Sequence, residues 1–170
     1  VIMWDLYNEP DNVAKGKGRG SLEVNNKKAY SLALLKKVFS WAREVNPSQP
    51  LTSGLWKGNS SRWGTFEKLS AIDQFMVEHS DVISFHAYDG SLEKVAEKIS
   101  ELKKYNRPLF CTEYLARGVG NNFETLLPLF KKEKIGAINW GLVDGKTQTK
   151  YPWRSWIINF TGEPDVWHHD

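Results

Sequence analysis

Five short apolar segments alternate with four longer amphipathic segments, and this alternation is what most constrains the fold of the chain. The repeating order of strand and helix predicts an α/β protein with a parallel sheet covered by helices. The predicted strands are residues 1–7, 50–56, 81–88, 108–114 and 136–143. Five such strands fit either an open doubly wound sheet or five-eighths of a (β/α)8 barrel, which typically needs about 250 residues.

The helical segments have apolar residues at helical spacing and end at recognisable stop signals. The first has a stripe that predicts its buried face: Leu34, Val38, Trp41 and Val45. The others are predicted over residues 70–79, from the N-cap Ser91 up to residues 106–108, and over 122–134. Trp41 is therefore expected in the core, and so is Trp4 because it lies inside the first strand.

The composition is that of an ordinary globular protein, and 170 residues predict a single domain spanning 1–170. A net charge of +3 is too small to indicate nucleic-acid binding. No apolar run approaches the ~20 residues of a membrane span. The single cysteine, Cys111, excludes an internal disulfide. The eight tryptophans are notable because indole rings stack well on flat ligands.

The first predicted strand ends in Asn8-Glu9-Pro10. Proline cannot extend a strand ladder, so the chain is expected to turn at Pro10 and to leave Glu9 at the carboxyl end of the strand. In parallel α/β proteins, active sites form at the carboxyl ends of the strands. Glu9 is therefore a candidate catalytic residue from its position alone.

Other predicted strands also end in reactive or recognition groups. His86 and Tyr88 end the third, Glu113 ends the fourth, and Trp140 lies in the fifth. Because parallel strands share one carboxyl edge, Glu9 and Glu113 are predicted to lie at the same edge. Two such carboxylates suit glycoside hydrolysis, in which a separation near 5–5.5 Å gives retention and a wider gap gives inversion.

The neighbouring residue types have both functional and structural interpretations. His86 and Tyr88 are two apart and share one face of a strand. Tyr88 could hydrogen-bond a carboxylate and keep it ionised, and His86 could bind a substrate hydroxyl or orient Glu9. A buried histidine and a packing tyrosine are the alternative. Trp140 is a candidate platform for a sugar ring, and Trp56, just past the second strand, is another.

The strand-end motifs together resemble those of clan A glycoside hydrolases, the (β/α)8 barrels that include families 2 and 5. The motif WDLYNEP at residues 4–10 resembles their fourth strand, and FHAY at 85–88 resembles the sixth. FCTEY at 110–114 resembles the seventh, and AINWG at 137–141 the eighth. The resemblance implies a partial TIM barrel covering strands four to eight.

By this resemblance, the chain is a retaining β-glycosidase that acts on oligo- or polysaccharides without a metal or organic cofactor. Glu9 would be the general acid/base and Glu113 the nucleophile. Asn8 would bind the hydroxyl next to the anomeric carbon, Tyr88 would contact Glu113, and Trp140 would form the floor of the sugar subsite. The resemblance also implies an extracellular or periplasmic location.

Strands one to three of that barrel have no counterpart in the chain, so we expect weak activity unless a longer parent chain supplies the missing half. Two other functions remain open. One is a carbohydrate-binding domain without catalysis, and the other is a phosphate-binding domain that uses the Lys- and Gly-rich residues 15–20. The polar segment 142–153 is expected to shape one end of the cleft.

Overall fold

The computed structural model describes residues 1–13, 23–57, 60–116 and 119–141. Its helices and strands alternate along the chain as predicted. The strands are β1 (Trp4–Asp5), β2 (Leu51–Thr52), β3 (Ile83–Ala87), β4 (Leu109–Tyr114) and β5 (Gly136–Ala137). The helices are α1 (Lys27–Val45), α2 (Ala71–His79), α3 (Leu92–Lys103) and α4 (Phe123–Glu133). Short 3-10 turns at Ser60–Arg62 and Phe66–Lys68 precede α2.

Every strand pair in the described residues is parallel, which confirms the α/β prediction. β1 pairs with β2, and β3, β4 and β5 form a second sheet in that order. A parallel bridge between Leu55 and Phe85 links the two sheets. There the amide of Leu55 donates to the Ser84 carbonyl, and the amide of His86 donates to the Leu55 carbonyl, both at 2.9 Å. No barrel is closed within the described part of the chain.

Several strands are shorter than predicted, although each lies within its predicted range. β1, β2 and β5 have two residues each, whereas β3 has five and β4 six. β4 has strand neighbours on both sides, while β1 and β5 each pair on one side only among the described residues. The longest strand, β4, is thus the one with hydrogen-bonding neighbours on both sides.

The core lies between the sheet and the helices. It includes Ile83 and Phe85 from β3, Leu109 from β4, Ile99 from α3 and Phe130 from α4. α2, α3 and α4 begin at side-chain caps, with Ser70, Ser91 and Asn122 accepting backbone amide protons, and the predicted N-cap Ser91 is confirmed. These caps satisfy amides that the first helical turn cannot pair. No described helix has both the length and the apolarity needed to cross a bilayer.

The prediction that Trp41 is in the core is wrong, because α1 buries a different stripe. Its buried residues are Ser31, Leu35 and Phe39, and Phe39 packs edge-on against Phe75 of α2 at 5.5 Å between ring centroids. Trp41 is 53% exposed. α1 carries apolar residues on two adjacent faces, so the sequence period allowed either face to be buried, and packing against α2 selected one.

Trp4 is also wrongly predicted as a core residue, since it is 45% exposed. Its strand pairs only with β2 among the described residues, and its indole nitrogen lies 3.4 Å from the side-chain oxygen of Gln49. An apolar strand sequence predicts burial only where a further element covers that face of the strand.

Two adjacent leucines of α1 lie on its buried and its exposed face, so truncating them should affect the free energy of unfolding differently. Leu35→Ala should lower the free energy of unfolding by about 2–5 kcal/mol, because Leu35 is fully buried and truncation leaves a cavity. Leu34→Ala should change it by less than about 1 kcal/mol, because Leu34 is 46% exposed. Urea denaturation of both variants is the measurement. A larger loss for Leu34→Ala would contradict the observed orientation of α1.

Candidate active site

The carboxyl ends of β1, β3 and β4 bring four predicted side chains together. Glu9 follows β1, His86 lies near the end of β3, Tyr88 follows β3 directly, and Glu113 is the next-to-last residue of β4. Because the strands are parallel, their carboxyl ends meet at one edge. The predicted placement of both carboxylates at one edge is confirmed.

The four side chains form one hydrogen-bonded cluster. His86 Nδ1 lies 2.6 Å from Glu9 Oε1 and 3.4 Å from Glu113 Oε2. The Tyr88 hydroxyl donates to Glu113 Oε2 at 2.8 Å, so the predicted contact between these two residues is present. A carboxylate oxygen of Glu9 and one of Glu113 lie within 4.8 Å of each other. The His86 ring thus lies within contact distance of the carboxylates of both Glu9 and Glu113.

A tight turn places the Glu9 carboxylate at the end of β1. Glu9 has φ 45°, in the left-handed region that non-glycine residues rarely occupy. The turn is closed by the Asn12 amide, which donates to the Glu9 carbonyl at 2.9 Å, and the Asn12 side chain contacts Glu9 Oε2. Such strain costs on the order of 1–3 kcal/mol and is characteristic of functional sites.

A register shift between β3 and β4 places Glu113 beside His86. Phe85 pairs with Cys111, but His86 pairs with Glu113, so Thr112 is an extra residue in β4. Without this irregularity His86 would pair with Thr112, and Glu113 would point to the other face of the sheet. Sequence periodicity assumes an unbroken ladder and gave no signal of the shift.

Burial raises the pKa of the Glu113 carboxyl above its ordinary value of 4.5. The His86 ring and the Tyr88 hydroxyl both lower it, whereas the Glu9 charge raises it further. Burial, followed by the charge of Glu113, also raises the pKa of Tyr88 well above its ordinary value. The Tyr88 hydroxyl therefore keeps its proton and remains a hydrogen-bond donor to Glu113.

The raised pKa of Glu113 predicts a pH-dependent stability difference. The folded state favours neutral Glu113, so the stabilisation from this carboxyl is full below about pH 4.5 and is lost as the pH rises through the raised folded pKa. Glu113→Gln should therefore unfold at a higher temperature than the wild type at pH 7, because glutamine carries no charge to desolvate. The gain should shrink at pH 4.

Thermal unfolding followed by circular dichroism at both pH values measures this difference. Glu97→Gln is the matched control, since Glu97 is an exposed glutamate on α3. An equal gain for Glu97→Gln, or a gain for Glu113→Gln that grows at low pH, would contradict the direction of the shift.

A pocket of about 400 Å³ opens beside Glu113, and Glu9 is not among its described lining residues. Its described lining residues are Ile2, Met3, Asp5, Asn8, His86, Thr112, Glu113 and Ile138. Asn8 is thus placed with Glu113, as the strand-end motifs predicted. Asp5 and Thr112 were missed by the sequence reasoning. A charged residue inside the apolar run of residues 1–7 was the available signal for Asp5.

The two candidate platform tryptophans are not among the described lining residues of this pocket. Trp56 is half-buried, and its indole N–H donates to the Pro10 carbonyl at 3.1 Å, which ties it to the turn after Glu9. Trp140 is half-buried as well, and its backbone amide donates to the Tyr114 carbonyl at 3.0 Å, close to Glu113 in β4. Residues 15–20 and 142–153 lie outside the described residues.

One atom each of Glu9, His86 and Glu113 lie within 4.8 Å of one another, a spacing that would accommodate a small cation. These groups are engaged with their neighbours in the structure, since His86 Nδ1 lies at the hydrogen-bond distance of 2.6 Å from Glu9 Oε1 and the Tyr88 hydroxyl donates to Glu113 Oε2. The two carboxylates also suffice for acid/base and nucleophilic chemistry by themselves.

Comparison with known families agrees with this arrangement. A family model described as glycosyl hydrolase catalytic core matches residues 6–126, which is more than half of the chain and includes Glu9, His86, Tyr88 and Glu113. The searches of curated proteins and of solved structures returned no match. The two carboxylates at the strand ends are thus part of the matched region, and the chain belongs to the glycosyl hydrolase catalytic core family.

Proposed function

We propose that this chain is the catalytic part of a retaining β-glycosidase that acts on oligo- or polysaccharides. The observation that carries the proposal is the approach of Glu9 and Glu113 to within 4.8 Å between carboxylate oxygens. Inverting enzymes hold their carboxyl groups about 6.5–9.5 Å apart to leave room for a water molecule, whereas retaining enzymes hold them about 5–5.5 Å apart. The short separation favours direct attack by one carboxylate.

Glu113 is the proposed nucleophile. Its oxygen attacks the anomeric carbon, and the bond from that carbon to the leaving oxygen breaks while Glu9 gives its proton to that oxygen. The Tyr88 hydrogen bond and the His86 ring favour the ionised form of Glu113, which the attack requires. Glu9 then takes a proton from water, whose oxygen bonds to the anomeric carbon and releases Glu113.

The remaining predicted residues would bind the sugar. Asn8 lines the same pocket as Glu113, which supports its proposed contact with the hydroxyl next to the anomeric carbon. Trp140 follows β5 and would form the floor of the sugar subsite. Trp56 is tied to the turn that carries Glu9 and would contact a more distant sugar ring. Aromatic faces of this kind pack against the apolar faces of sugar rings.

The five strands would be strands four to eight of a (β/α)8 barrel of the clan A type. Their parallel pairing in chain order and the bridge between the two small sheets support this proposal. Val1, Ile2 and Ile138 are exposed near the pocket, where further polypeptide would cover them. Turnover should then be much faster in a longer chain that adds the first strands than in these 170 residues alone.

The stereochemistry of the first-formed product tests the proposed mechanism. Proton NMR of the reaction on a β-linked oligosaccharide should record the β-anomer first, followed by slow mutarotation. An α-anomer formed first would indicate inversion and would refute the nucleophilic role of Glu113. Tight binding of the oligosaccharide without any turnover by the longer chain would instead indicate a non-catalytic carbohydrate-binding domain.

A further inference from the structure

One buried amide side chain connects the loops that follow β3 and β4. Asn121 is 1% exposed, and its Nδ2 donates to the carbonyls of Ala87 at 2.8 Å and Asp89 at 2.9 Å. Its Oδ1 accepts from the amides of Leu115 at 2.8 Å and Ala116 at 3.3 Å. Ala87 and Asp89 flank Tyr88, while Leu115 lies two residues beyond Glu113. Asn121 thus joins the backbone that carries Tyr88 to the strand that carries Glu113.

A buried lysine holds the same segment from the side of α3. Lys98 is 8% exposed, and its Nζ donates to the His86 carbonyl at 3.3 Å. It also forms an ion pair with Asp89 at 2.5 Å and lies 5.2 Å from the centre of the Trp63 ring. Burying an ammonium group is costly without such partners. These contacts hold the segment 86–89 at both of its ends.

We propose that Asn121 and Lys98 are positioning residues that fix the backbone on both sides of Tyr88 and so keep its hydroxyl on Glu113. This inference rests on the proposed role of Glu113 as nucleophile. Tyr88 reaches Glu113 through a single hydrogen bond of 2.8 Å. A displacement of the Tyr88 backbone by about 1 Å would lengthen that bond beyond useful range. A tyrosine side chain has only two soft torsions with which to compensate.

The backbone beyond Glu113 is strained where Asn121 holds it. Leu115 has φ 95° and is fully buried, although a leucine in this conformation is a genuine outlier. Its amide is one of the two that donate to Asn121 Oδ1. Such strain persists only where surrounding contacts maintain it. Asn121 therefore maintains the geometry of both partners in the Tyr88–Glu113 hydrogen bond.

The pKa of Glu113 reports the position of Tyr88, because this hydroxyl favours the ionised carboxylate. The other titratable groups that act on Glu113 are His86 on β3, which lowers its pKa, and Glu9 after β1, which raises it. Glu113 in turn acts on Asp5 and Cys111. Substitution of Asn121 changes none of these groups and removes no charge, so a change in the pKa of Glu113 would come from the altered position of Tyr88 or of the Glu113 backbone. The charge of Lys98 reaches Cys111, so Lys98 is changed only together with its partner Asp89.

The experiment is a carbon-13 NMR titration of the glutamate carboxyl groups, with the Glu113 signal assigned from its loss in Glu113→Gln. Tyr88→Phe sets the size of the expected rise in the pKa of Glu113. Asn121→Leu, which keeps the branched shape of the side chain but has no polar atoms, should reproduce most of that rise. Asn121→Leu combined with Tyr88→Phe should give little further change, because both act through one hydrogen bond.

Asn122→Ala is the matched control, because Asn122 is the neighbouring residue of the same type and its side chain caps α4 through the Thr125 amide. It should lower the midpoint of thermal unfolding, because a helix cap is lost, without moving the pKa of Glu113. If Asn121→Leu does not fold, the double variant Lys98→Met with Asp89→Asn serves instead. It removes the contacts of Lys98 with the segment 86–89 and leaves no unpaired charge. It should also raise the pKa of Glu113. An unchanged pKa in a folded variant would overturn the proposal.

The titration does not depend on turnover, so its result is separate from that of the proposed function. A rise in the pKa of Glu113 together with inversion or absence of turnover would support the positioning role of Asn121 and Lys98. The same result would contradict the proposed retaining mechanism. In an active protein, the acid limb of the pH–rate profile should move to higher pH in the same variants. If the pKa of Glu113 rises but the acid limb of the pH–rate profile does not move, Glu113 is not the nucleophile.

Discussion

Glu113→Gln should lower kcat by about 10⁴-fold or more on any β-glycoside that the protein hydrolyses. Loss of a covalent nucleophile removes the main reaction path, and effects of this size follow when a member of a catalytic unit is lost. The substitution keeps the shape of the side chain, and the variant should be at least as stable as the wild type because burial disfavours the charged form of Glu113. The measurement is the steady-state rate on an aryl β-glycoside, with Glu97→Gln as the control that retains activity.

A second variant separates the nucleophile from the acid/base. Glu113→Ala leaves space on one face of the sugar, where azide can attack in place of the carboxylate. Rescue should then yield an α-glycosyl azide, because only one displacement occurs. A β-glycosyl azide would mean that Glu113 is the acid/base instead. The roles of nucleophile and general acid must be distinguished by experiment, because burial by itself favours the protonated form of Glu113. The protonated form is the one that a general acid needs.

Glu9→Gln should have an effect that depends on the leaving group. For substrates whose leaving oxygen needs a proton, such as a sugar hydroxyl, we expect a fall of about 10²–10⁴ in kcat/KM. For a dinitrophenyl leaving group the fall should be far smaller, since that group departs without protonation. A plot of log kcat/KM against leaving-group pKa should therefore steepen in the variant. Equal losses for all leaving groups would contradict the role of Glu9 as general acid.

Glu9 is held in a strained turn, so its variants need a structural check. Glutamine can occupy the same left-handed position and accept from the Asn12 side chain. The near-ultraviolet circular dichroism spectrum should therefore match that of the wild type. An altered spectrum would assign the loss of activity to the turn rather than to the proton.

Much of the α/β layout was predictable because it depends on local patterns. The helices α2, α3 and α4 start at the caps Ser70, Ser91 and Asn122, whose side chains bond the first turn wherever the helix packs. The turn after β1 was also predictable, because Pro10 ends a ladder regardless of its surroundings. Which face of a helix is buried does not depend on local sequence alone. The helix that contains Trp41 was predicted correctly, but its buried face was not.

The sequence alone determined the order of strands and helices and the presence of a carboxylate at the end of β1 and of β4, because periodicity, caps and proline act over a few residues. Only the tertiary structure decided that Glu9 and Glu113 approach within 4.8 Å with His86 between them. That approach depends on the extra residue Thr112 in β4, which brings Glu113 opposite His86. The shift arises from the pairing of two strands that are distant in the chain, and no local pattern encodes their register.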